Sequence, residues 1–344
     1  GGDLVVPGEP SNRPADEGDA PANERLQAAV ERVIEGTDPR LKVMSGARER
    51  LSPAVEHALA YAHGAVSHIP AGIELTPDNW GRTPLLRAFF MRPGDVGEAL
   101  SASQDLRDFM KSPAASGMET LHCVVAATRV ERTVLGHAME GEMLRQDVAQ
   151  RTVSFSDMRI AGFTATEDVL RAGLEDFVLE QLVLAALRDV AENRQRSDQL
   201  EAYRQLLQTR LRLLEQGGSS VDSMLATAPR EATDVTRLRN QLAANEAELN
   251  EIRPTGVGLD AYLDPVIEAL QNAEAIIQPK LIEMRLNAMN IVVGPEVPDG
   301  SDIRLVEFST ANPERPRRVG FLAHFPRSAF VEKTVDFDAL LRSI

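Results

Sequence analysis

Residues 235–254, Val-Thr-Arg-Leu-Arg-Asn-Gln-Leu-Ala-Ala-Asn-Glu-Ala-Glu-Leu-Asn-Glu-Ile-Arg-Pro, decide how this chain is built. Val235, Leu238, Leu242, Asn245, Leu249 and Ile252 alternate spacings of three and four, the seam of a coiled coil. Pro254 closes the stretch, since proline lacks an amide donor and disfavours helix in the residue before it. A single seam needs a facing one. Leu200, Tyr203, Leu207, Leu211 and Leu214 supply it across the Gly/Ser-rich loop 217–232. The spacing predicts an antiparallel hairpin of two helices, 197–216 and 233–253. Asn245 is its informative position, because an amide on an apolar seam loses hydration while favouring one register.

The same helical signal extends backward. Thr164-Ala165-Thr166-Glu167 reads as a capping box with Thr164 as N-cap. Leu170, Leu174, Phe177, Leu184 and Leu187 follow at helical spacing. Leu182, Val183, Leu184 and Leu187 are expected in the core, because this helix is apolar on most of its circumference. On the far side of the hairpin, Asp264-Pro265 is expected to open one more helix, and Pro279 to end it.

Either side of this centre the period changes to two. Leu121, Cys123, Val125 and Ala127 alternate with His122, Val124 and Ala126, which predicts strands. Residues 119–163 read as three or four strands with turns near Glu140-Gly141 and Asp147. Residues 282–288 alternate likewise, and 303–310 with 318–325 read as a hairpin. Each strand group is small for an independent sheet, so the two are expected to join. Upstream, Leu26, Val30, Val33 and Ile34 form a helix face. Asp38-Pro39 and Ser52-Pro53 are read as N-cap and N1 pairs opening helices over 39–49 and 53–67. Short helices are expected at 84–90 and 103–111, the second capped by Ser103. Trp80 sits in a turn-rich stretch and is read as a loop plug.

The whole reads as an α+β fold, mainly helical, with antiparallel β-meanders flanking a long helical insertion. The segments are a disordered tail (1–22), an N-terminal helical region (23–117), a meander (118–163), long helices with the coiled-coil hairpin (164–278), and a C-terminal meander with a short helix at 336–343. The tail holds little apolar surface to offset its ordering entropy, and is expected to be dispensable for folding.

Composition narrows the function. The formal net charge is −15, which disfavours nucleic acid as a partner. One cysteine, Cys123, permits no internal disulfide and fits a reducing, cytoplasmic setting. No apolar run is long enough to span a bilayer. Lysine is scarce, with four residues against 33 arginines (37 − 4), as in a GC-rich bacterial genome.

Neither GxxxxGK[ST], GxGxxG nor HExxH occurs, so no cofactor, resident metal or catalytic residue is assigned. An alternative reading is a Mg²⁺- or Mn²⁺-dependent enzyme using the carboxylates of Glu140, Glu142, Asp147 and Asp157. Another is a nucleic-acid-associated factor. Its candidates are the arginines near the C-terminal hairpin: Arg304, Arg315, Arg317, Arg318 and Arg327. The leading expectation is a non-enzymatic interaction or assembly protein that binds a protein partner or itself. Its candidate residues are Leu200, Tyr203, Leu207, Leu214, Leu238, Leu242, Asn245 and Leu249 on the hairpin, with Arg315, Arg317 and Arg318.

Overall fold

A computed structural model describes residues 19–140, 142–216, 228–252, 258–310 and 318–332. The chain divides into two compact units, 1–57 with 183–271, and 58–182 with 272–344.

The first unit is helical. Helix α1 (Asp19–Thr37) begins four residues before the expected start at Asn23. An acid at its first position and proline at its third suit a first turn. Its buried face is Ala29, Val30, Val33 and Ile34. Asp38 then caps a short 3₁₀ turn, its carboxylate accepting from the Arg40 amide, where a longer helix over 39–49 was expected. Helix α2 (Ala47–Ser67) starts ahead of Ser52-Pro53, so Pro53 lies inside the helix. The Ser52 hydroxyl donates back to the Arg48 carbonyl and caps nothing. The early start buries Ala47 and Leu51 completely, which outweighs the lost proline donor. Helix α8 (Asp260–Gln271), numbered in chain order, likewise starts before Asp264-Pro265. Asp260 and Asp264 both pair with Arg50.

The second unit is a sheet with helices. Strands β2 (Thr120–Glu140) and β3 (Met143–Thr164) form one long hairpin, not three or four strands. Asp147 marks a bulge, not a turn. Three register shifts interrupt the β2–β3 ladder, and each skips an extra residue on β3. Those places hold Asp147 (φ 61°), Asp157 (φ 48°) and Gly162 (φ 75°). Left-handed backbone at a bulge suits glycine and the short acidic side chain, and it sharpens the strand's twist.

The two strand groups join. The order is β3-β2-β6-β5-β4, with β4 (Ile277–Leu286), β5 (Ser301–Thr310) and β6 (Arg318–Pro326); a short β1 (Ile73–Glu74) pairs in parallel with β6. The fold class is therefore α+β, with a curled antiparallel sheet. Pro279, expected to end a helix, lies within β4 opposite Phe308. β4 is an outer strand, where a missing amide donor is tolerated.

Strand β6 is central and buried on both faces. A Cβ at Gly320 would lie 2.8 Å from the Val125 carbonyl oxygen, so only glycine permits this approach of β6 to β2. On one face Leu121, Cys123, Val125 and Ala127 pack with Phe321 and Phe325 beneath α3 (Pro84–Phe89), α4 (Pro93–Ala102) and α5 (Gln104–Lys111). On the other, Val124, Val306 and Leu322 meet Val66, Ile69 and Leu170. Ser103 caps α5 as expected, accepting from the Leu106 amide at 3.2 Å. Burial pushes the Cys123 thiol up to about 12, so it is held as an inert, protonated core group.

Helix α6 (Glu167–Gln216) runs unbroken for 50 residues, about 75 Å. Its cap differs from the expected box. The Thr166 hydroxyl, not that of Thr164, accepts from the Val169 amide, and Thr164 is the last residue of β3. Glu167 accepts from the Gly72 amide at 3.0 Å and from Arg171. Tertiary partners thus displaced the local box. Among the described residues no helix is long and apolar enough to cross a membrane.

Candidate functional site

The predicted seam residues come together in the helical unit, where the end of α6 meets α7 (Ala228–Ile252). Arg196 pairs with Glu248, the Asn245 amide nitrogen donates to the Leu200 carbonyl at 3.2 Å, and Arg239 reaches Glu215 at 2.9 Å. Position falls along one helix as it rises along the other, so the two are antiparallel. Leu207, Leu238, Asn245 and Leu249 are buried; Leu200, Leu211, Val235, Leu242 and Ile252 are half-buried. Tyr203, expected in the seam, is 44% exposed. Its phenol keeps its hydration, while Leu200, Leu207 and Leu211 fill the contact. The Leu214 side chain falls outside the described residues, as do the loop 217–227, Arg315, Arg317 and the segment 336–343.

Asn245 carries a cost. Its amide oxygen is buried and has no hydrogen-bond partner among the described residues. Asn245→Leu is expected to raise stability by about 1–3 kcal/mol, by removing a desolvated acceptor, and to loosen the register of the hairpin. Thermal melting with light scattering checks this. A variant no more stable than the parent, with unchanged size distribution, would place the amide oxygen in contact with water.

A second feature lies on the same stretch of α6. A groove of about 740 Å³ runs along Leu187, Val190, Ala191, Arg194 and Ala202, walled by Tyr262 of α8. The spacing of three and four keeps these residues on one face. The Arg194 guanidinium donates to the Tyr262 hydroxyl at 3.0 Å and lies 5.6 Å from that ring's centre, a cation–π arrangement that braces the wall. The stripe continues past the groove to Leu206, four residues beyond Ala202 on the same face and 59% exposed. The heptad seam was legible in the sequence; the groove was not, because Tyr262 is far along the chain from α6.

The other candidates disperse. Asp147 and Asp157 are ten residues apart on one strand, roughly 30 Å, so these two cannot share a site. The Glu140 side chain falls outside the described residues. Among the described residues no group of three or more His, Cys, Asp or Glu is arranged to hold a metal ion. Asp157 instead accepts from Arg318 at 3.0 Å. The described arginines of the cluster, Arg304, Arg318 and Arg327, also have partners within the chain. Arg318 binds the Thr128 hydroxyl as well, Arg304 sits 3.6 Å from Glu283, and Arg327 donates to the Ala115 carbonyl.

His122 and His324 face each other across β2 and β6, ring centres 5.5 Å apart. Burial and the neighbouring imidazole hold His122 below the usual histidine range, against the pull of Glu167. The chain matches no known family of proteins, and no curated protein and no solved structure is detectably similar to it.

Proposed function

We propose that this is a non-enzymatic interaction or assembly protein whose working surface is the groove and exposed stripe on α6. One observation carries the reading: an apolar groove of about 740 Å³ on a continuous helix, prolonged by the exposed Leu206. From Leu187 to Leu206 the surface is roughly 30 Å long, the length of an amphipathic helix of about 20 residues. The seam between α6 and α7 gives that surface a rigid backing. The partner is a protein helix with an apolar face, from another protein or a second copy. Basic flanks on it would complement a chain of net charge −15.

The test uses two variants that obstruct the surface at separate points, Ala191→Arg in the groove and Leu206→Asp on the stripe. Both are expected to melt within about 2 °C of the parent, since neither removes a buried side chain. Both are also expected to abolish capture of the same partner from native extract, or self-association in sedimentation. A partner or dimer retained by both folded variants overturns the proposal.

A further inference from the structure

We propose that a cleft on the sheet unit, separate from the helical groove and argued independently of it, binds a small molecule made of a flat aromatic ring bearing one carboxylate. The cleft encloses about 740 Å³ beside α3, within the range of small-molecule sites. Its lining is rich in rings. Phe89 and Phe155 stack with centroids 4.1 Å apart and planes 14° from parallel. Trp80, read from sequence as a loop plug, also lines the space, its indole nitrogen anchored to the Phe90 carbonyl at 2.9 Å. A planar ring entering here meets aromatic surface whose orientation is already fixed, which lowers the entropic cost of binding.

The charge in the cleft sets the ligand's polar end. Arg87 projects from α3, and among the described residues its guanidinium makes two hydrogen bonds, both at 3.3 Å, to the Gly81 carbonyl and the Ser301 hydroxyl. Among the described residues no carboxylate lies within ion-pairing distance of it, although acids outnumber lysine and arginine 52 to 37 in the chain. A guanidinium with donor capacity to spare beside an aromatic wall suits a carboxylate, which it can grip through two parallel hydrogen bonds. Asp299 also lines the cleft and is exposed. Its charge works against a dianion such as a phosphate ester and so selects a single negative charge.

The opposite wall is built with care. Asn287 closes the turn, its side-chain oxygen accepting from the Met289 amide at 2.9 Å and the Ile291 amide at 3.0 Å. Asn290 holds a left-handed backbone, φ 55°, and its amide nitrogen donates to the Ala88 carbonyl at 2.8 Å, one residue from Arg87. Strained backbone at a non-glycine residue clusters at ligand clamps. Here it latches the loop to the helix that carries the arginine.

Trp80 is the single tryptophan, so its fluorescence reports the cleft directly. The full chain would be titrated with 3-phenylpropionate, 3-phenylpropanol and phenyl phosphate, following fluorescence and, in parallel, heat by calorimetry. The carboxylate is expected to bind saturably in the millimolar range or tighter, and the alcohol and the phosphate about tenfold more weakly or worse. Arg87→Gln should reduce the carboxylate to the level of the alcohol without moving the melting temperature, whereas Arg82→Gln, a nearby exposed arginine outside the lining, should leave it unchanged. No saturable binding of the carboxylate by either readout overturns the proposal. So does equal affinity for acid and alcohol, or full binding retained by Arg87→Gln.

Discussion

Arg129→Ala is expected to lower the free energy of unfolding by about 3–5 kcal/mol, the cost of stranding a buried charge. Arg129 donates to Glu307 at 2.9 Å and pairs with Glu131 at 3.1 Å. The side chains of Arg129 and Glu307 are only 12% and 9% exposed. Remove the guanidinium and the Glu307 carboxylate keeps its desolvation with nothing to offset it. The double variant Arg129→Met with Glu307→Leu removes both charges and fills the space. It is expected to recover to within about 1 kcal/mol of the parent, or to exceed it. Urea unfolding of the three proteins decides the matter. A double variant as unstable as Arg129→Ala would mean that this part of the sheet cannot accept apolar replacements and that the pair is specified by geometry.

Leu182→Ala should cost about 2–5 kcal/mol, while Leu184→Ala, two residues on, should cost under about 1 kcal/mol. Leu182 is fully buried and Leu184 is 49% exposed. The apolar run on α6 suggested that both lie in the core, and the structure corrects this for Leu184. Two residues along a helix turn the side chain by roughly 200°, so the two cannot share a face. Leu184 instead shares one with Phe177, seven residues earlier and equally exposed at 49%. Denaturant midpoints at constant slope would measure both costs. A larger loss at Leu184 than at Leu182 would reverse the assignment of faces.

The outcome at Leu184 shows what periodicity can and cannot convey. Where one face is apolar and the other polar, spacing alone determines the packed face. That held for Leu238, Leu249 and Asn245 on α7. It held for Ser103, whose capping needs only the amide three residues on. Where a segment is apolar all round, as at 177–187, the pattern carries no direction, and the neighbours decide which side is covered.

Capping and turn signals failed where a distant partner outbid a local one. Glu167 was free to complete a box with Thr164, yet it serves Gly72, 95 residues away. Asp147 had the composition of a turn, yet strand pairing on both sides absorbed it as a bulge. Arg318 and Asp157, read separately as parts of a basic and an acidic cluster, neutralise each other across 161 residues.

The sequence by itself therefore determined the period of the main strands and of the long helices, the antiparallel helical hairpin and the α+β class, because these depend on residues within a few turns or a few ladder steps. Only the tertiary structure decided the strand order that joins residues 120–164 to 277–326, the groove beneath Tyr262 and the cleft around Trp80. Each of those requires side chains from segments far apart in the chain to arrive at one place, and local spacing holds no record of where the chain returns.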